Sequence, residues 1–165
     1  MKKNPFNTLL LALAFTGVLS SCSKDEEYTL EDQPVTGNFT YITTSFIPIT
    51  VDPNTQQPLS ATITMEGSGT VAEMGVINFT STFKFDFVAG KGTDFVTTYT
   101  GTSNADSFHA TGSSQQQQDG SIIMTETFSN GTGKYSKIKG GGTTIVNIYA
   151  DQTGGTGAAT WTVSY

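Results

Sequence analysis

The chain has 165 residues, with 8 basic side chains against 14 acidic ones, a formal net charge of −6 and only 13% charged residues. Its single cysteine rules out an intrachain disulfide; all of its basic residues are lysines, and the lack of arginine together with the negative net charge weighs against a phosphate-gripping or nucleic-acid-binding surface, which relies on clustered cations and the guanidinium fork. The 29 threonines and 18 glycines instead give the profile of one β-rich, turn-rich domain.

In chain order, Lys2 and Lys3 precede an apolar run from Leu9 to Phe15, which ends at Leu19-Ser20-Ser21-Cys22. That run falls well short of the roughly 20 apolar residues a membrane-spanning helix needs, and with its basic start it reads as a signal peptide over 1–21. Leu19-Ser20-Ser21-Cys22 resembles the lipobox of bacterial lipoproteins. The resemblance implies cleavage just before Cys22, diacylation of its thiol and acylation of the new amino terminus, so that the chain is held at a membrane by its N-terminal lipid. Ser23-Lys24-Asp25-Glu26-Glu27 resembles the lysine-plus-acidic export signal of Bacteroidetes lipoproteins. This implies an outer-membrane, cell-surface address; without that role the run is a solvated stalk. Residues 22–34 are expected to be a flexible acidic tether and 35–165 the folded domain.

No segment after Val35 has apolar residues at helical spacing, whereas period-two alternation recurs. The clearest case is Asn78 to Val88, where Phe79, Ser81, Phe83, Phe85 and Phe87 share one face and Asn78, Thr80, Thr82, Lys84 and Asp86 the other. Similar runs cover Phe39 to Ile49, Leu59 to Glu66, Asp94 to Thr102, Ser107 to Thr111, Ser121 to Ser129, Thr143 to Ala150 and Ala158 to Tyr165. Between them stand breakers: Asp52-Pro53-Asn54, Ala89 to Gly92, Gly112 to Gly120, Asn130-Gly131 and Thr153 to Gly157. The pattern predicts an all-β domain, a small antiparallel barrel of about eight strands joined by hairpins. The ending Trp161-Thr162-Val163-Ser164-Tyr165 is similar to the last strand of outer-membrane barrels, but most predicted strands are shorter than a spanning strand's 9–11 residues. A soluble barrel on a lipid tether is therefore expected.

Gly67-Ser68-Gly69-Thr70-Val71-Ala72-Glu73-Met74-Gly75 and Gly131-Thr132-Gly133-Lys134-Tyr135-Ser136-Lys137-Ile138-Lys139-Gly140-Gly141-Gly142 resemble glycine-rich segments of small bacterial relatives of the allene oxide cyclase barrel. That is a calycin-like eight-stranded fold, shared in outline with dirigent proteins. The resemblance implies the barrel, with glycines easing tight bends at its corners. It carries no catalytic residue, because the matching segments do not include the catalytic positions of the plant cyclases.

Asp106, Ser107 and His109 are too close along one strand to converge as a hydrolytic triad, and the chain has no Gly-x-Ser-x-Gly elbow. Glu66, Glu73, Asp86 and Glu126 are the carboxylates available for acid-base work on a sugar, and on strand faces they are expected to meet solvent. Neither glycine-rich segment has a phosphate-loop ending. Neither zinc nor calcium is expected, nor any other cofactor.

The alternating aromatics remain. Phe83, Phe85, Phe87, Tyr99, Phe128, Tyr149 and Trp161, with Phe95, are expected to point inward. There they either fill the barrel as core, which is the preferred reading, or line an apolar cavity for one small ligand. The function expected is that of a non-catalytic surface lipoprotein whose barrel binds an apolar small molecule, a glycan or an envelope protein. The alternative is a cyclase-like or dirigent-like barrel enzyme acting on a lipid or terpenoid substrate, and it requires a buried polar group among the aromatics.

Overall fold

The structure, a computed structural model, describes residues 29–165. The signal peptide, the lipid-attachment residue Cys22 and the run Ser23, Lys24, Asp25, Glu26 and Glu27 lie outside the described residues. Eight strands follow one another as β1 (Gln33–Val51), β2 (Pro58–Val71), β3 (Gly75–Asp86), β4 (Lys91–Thr100), β5 (Ser107–Gln116), β6 (Ile122–Ser129), β7 (Lys139–Ile148) and β8 (Gly154–Ser164). Each pairs antiparallel with the next and β8 closes on β1, so the sheet is a closed barrel. This is the expected all-β antiparallel barrel, and closure leaves no edge along the paired strands.

The alternation on β3 holds as expected: Ser81, Phe83 and Phe85 are buried, while Thr80, Lys84 and Asp86 face out. Strand limits differ from expectation: seven of the eight strands have 10 or more residues, which corrects the expectation that most are shorter than a membrane-spanning strand, and they lengthen where glycine was taken as a breaker. β2 runs on through Gly67 and Gly69, β5 passes Gly112, and β7 and β8 include Gly140 to Gly142 and Gly154 to Gly157. The reason is close approach rather than turning. A Cβ on Gly67 would stand 2.6 Å from Phe79 Cε1, so the bare backbone makes room for an aromatic ring on the inner wall. The barrel also takes up the chain before Val35. Leu30 and Tyr165 exchange two backbone hydrogen bonds of 2.8 and 3.0 Å, and β1 begins at Gln33.

Up-and-down connectivity gives the barrel two different ends. At one, residues 130–138 fold across the opening through a short 3-10 turn, Gly133–Tyr135. Tyr135 is fully buried there, its ring centroid 5.1 Å from that of Phe108 and 5.0 Å from that of Tyr165. Its hydroxyl and Lys134 Nζ both donate to the Met74 carbonyl, at 3.3 and 3.2 Å. A core of Val35, Phe39, Ile77, Tyr99, Phe108, Phe128, Trp161 and Val163 fills the barrel above this plug. Leu30, and with it the chain's entry into the barrel, lies at this closed end. The other end carries the turns 52–57, 87–90, 117–121 and 149–153. The sheet closes on itself and encloses its own two buried clusters, the features of a unit that folds by itself.

Candidate functional site: a cavity above a buried carboxyl

In the half of the barrel away from the plug, the side chains do not fill the interior. A cavity of about 440 Å³ opens toward the four turns, within the range of small-molecule sites. β3 supplies Phe83 and Phe85, and Phe87 follows just past its end; β4 supplies Phe95, which stacks on Phe83 at 4.4 Å between centroids with 7° between ring planes. From β1 come Tyr41 and Phe46. Strict alternation from Tyr41 would turn Phe46 outward, but a bulge between Thr43 and Ser45 shifts the register and brings it in, as bulges do. Phe87, 40% exposed, and Tyr149, 46% exposed, form part of the rim.

The expected lining thus divides. Phe83, Phe85, Phe87 and Tyr149 line the cavity. Phe128 and Trp161 belong to the filled half, and Tyr99 lines only a small void of about 30 Å³ below the cavity. The preference for a completely filled interior is corrected to a barrel filled in one half and hollow in the other. Pattern reading passes over Tyr41, Met65, Ser114 and Met124, though Tyr41, Met65 and Met124 lie in alternating runs.

Below the cavity lies the group sequence reasoning placed in solvent. Glu126 is 4% exposed, between the inward Met124 and Phe128 on β6. Tyr99 Oη donates to its Oε1 at 2.7 Å, Thr144 Oγ1 donates to its Oε2 at 3.3 Å, and Trp161 Nε1 donates to Thr144 Oγ1 at 3.3 Å. Burial pushes the Glu126 carboxyl above its ordinary value, and the hydrogen bonds from Tyr99 and Thr144 only partly oppose this. Burial, with the Glu126 charge beside it, likewise raises the Tyr99 phenol well above the usual range. The parity of Met124, Glu126 and Phe128 carried this signal, since alternation puts all three on one face. Glu66, Glu73 and Asp86 are exposed as expected.

Above this network, Tyr41, Met65, Met124 and Val146 line both the small void around Glu126 and the large cavity. Burial raises the Tyr41 phenol to about 12, with Tyr149 adding to the effect. Asp106, Ser107 and His109 each have separate partners: Asp106 Oδ1 accepts from Lys134 N, Ser107 pairs with Thr132, and His109 Nδ1 lies 3.2 Å from Thr98 Oγ1. Among the described residues no group of three or more His, Cys, Asp or Glu is placed to hold a metal ion, and no helix is long and apolar enough to cross a membrane.

Comparison with protein-family models, with curated proteins and with solved structures finds no match to this chain.

Proposed function

We propose that the chain is a surface-anchored lipoprotein whose barrel is a cup for an apolar small molecule. The observation that carries the proposal is the cavity of about 440 Å³, walled mainly by aromatic, aliphatic and methionine side chains with Thr43, Ser114, Gln116 and Gln152 among them, and opening beside Phe87 and Tyr149. A wall of this kind favours apolar molecules through burial, at roughly 25 cal/mol per Å² removed from water. The tether fits this use. The described chain enters at the plugged end, beside Tyr165, so a lipid on Cys22 would attach to the barrel at the end opposite its mouth and leave the mouth unobstructed. The outward face mixes polar positions such as Thr36, Asn38, Thr40, Thr80 and Thr160 with exposed Ile42, Ile47, Val96 and Ile145, rather than presenting the all-apolar band of a membrane-spanning barrel.

The test is a titration of residues 23–165 with the neutral fluorophore N-phenyl-1-naphthylamine. The probe should bind saturably, one to one, with energy transfer from Trp161, the only tryptophan in the chain. Val146→Phe, which adds bulk to the cavity wall, should weaken binding several-fold. Absence of saturable binding would remove the proposal.

Glu126 favours a second reading, the cyclase-like or dirigent-like enzyme on a lipid or terpenoid substrate. A carboxyl raised above its ordinary value by burial and hydrogen-bonded to Tyr99 beneath an apolar cup has the character of a general acid. Both of its oxygens are already engaged, and Met65 and Met124 stand between it and the cavity, so a substrate reaches it only if these flexible thioethers move aside. Consumption of an epoxidised terpenoid by the wild-type chain, lost in Glu126→Gln, would favour this reading over simple binding.

A further inference from the structure

The polar groups on the cavity wall define the occupant more narrowly. One polar atom on the wall is buried without a hydrogen-bond partner among the described residues: Ser114 Oγ, on β5, folded against Gly92. A buried hydroxyl has given up its hydrogen bonds to water, a loss made good only by a new partner. Ser114 needs no backbone movement to find one, since rotation about χ1 redirects its Oγ.

Charge is excluded from the same wall. Among the described residues no lysine, aspartate or glutamate lines the cavity. Asp52, Asp86, Asp119 and Asp151 stand at the four turns of the open end, each accepting hydrogen bonds from its own turn. An anion entering here would shed its water, pass these carboxylates and the exposed Lys91 that opens β4 beside the 87–90 turn, and meet no cation on the wall itself; a cation would find Glu126 already held by Tyr99 and Thr144 below the floor. Either ion would be buried without a counter-charge.

We propose that the cavity takes an uncharged, largely apolar molecule bearing a hydroxyl or carbonyl oxygen that pairs with Ser114. The inference rests on the cavity-binding function proposed above and adds the polarity and charge of the ligand to it.

A matched set of naphthalenes tests it by displacing N-phenyl-1-naphthylamine from residues 23–165 at pH 7: 2-methylnaphthalene, 2-naphthol, 2-acetylnaphthalene and 2-naphthoate. Wild-type protein and Ser114→Ala are compared, and the readout is the preference for each oxygenated compound over 2-methylnaphthalene. Taking this ratio between the two proteins cancels differences in the compounds' own hydration. Ser114→Ala removes an unsatisfied polar atom and should fold. It should lower the preference for 2-naphthol and 2-acetylnaphthalene roughly two- to tenfold, the span of one net hydrogen bond, and 2-naphthoate should be the weakest competitor. An unchanged preference in Ser114→Ala, or 2-naphthoate displacing the probe as well as 2-methylnaphthalene, overturns the inference and leaves the cavity-binding function standing. Failure of the probe itself to bind removes both.

Discussion

Tyr99 on β4 donates its phenolic hydroxyl to Glu126 on β6 at 2.7 Å, across the barrel interior and out of reach of solvent. The pair sits where the filled and hollow halves meet. It gives the core a polar layer whose cost depends on protonation, because burial disfavours the Glu126 carboxylate more than its hydrogen bonds favour it.

Glu126 therefore makes stability fall with rising pH. With a folded-state value above the unfolded one, the folded state binds more protons between the two, so the contribution is full below the ordinary carboxyl range and is lost as pH rises through the raised value. Glu126→Gln should match wild type near pH 4 and be more stable at pH 8. Urea unfolding at both pH values checks this, and equal differences at the two would show that Glu126 is not held toward its neutral form.

Asp52, Asp119 and Asp151 act in the opposite direction. Backbone and hydroxyl hydrogen bonds within their turns hold these carboxyls below the ordinary value. Their contribution is present above that value and lost as pH falls through the lowered one. Amide protection factors at Asn54, Ser121 and Thr153, whose N–H groups donate to these carboxylates, should drop below about pH 4, while those of Phe108 and Val163 in the core hold.

Phe108 and Phe85 separate the two halves of the barrel energetically. Phe108 is fully buried among Tyr99, Phe128 and Tyr135, so Phe108→Ala should cost about 3–5 kcal/mol. Phe85 already borders empty space, so Phe85→Ala loses burial without opening a new void and should cost roughly 1.5–3 kcal/mol. Chemical denaturation of both variants measures the difference, and equal costs would contradict a hollow upper half.

For the proposed anchor, Cys22→Ser should abolish fatty-acid labelling and release the protein from membranes. Changing Lys24, Asp25 and Glu26 to alanine should leave it anchored but protected from protease on intact cells. Labelling that persists without Cys22 would contradict the anchor, and undiminished protease access would reduce the charged run to a tether.

Much of the barrel was legible because alternation on β3 and β6, and on β4 from Phe95 onward, obeys the two-residue period. The hollow was not, since whether Phe83 and Phe85 meet other side chains or empty space depends on partners brought from strands far away in sequence. Phe46 was hidden by the bulge after Thr43, which no local pattern announces. Gly67 and Gly140 looked like turns because the rings and strands that press on them come from elsewhere in the chain. Glu126 differs in kind: its parity with Met124 and Phe128 was visible, and the general habit of carboxylates to face solvent outweighed it.

The three methionines among the described residues offer the most direct measurement of a barrel hollow at one end and filled at the other. Met65 and Met124 line the cavity, while Met74 is packed at the plug. In residues 23–165 carrying carbon-13 methionine methyls, added N-phenyl-1-naphthylamine should shift the Met65 and Met124 signals saturably at one equivalent and leave Met74 in place. Shifts of equal size at all three methyls, or none at Met65 and Met124, would contradict a ligand held in the open half of the barrel.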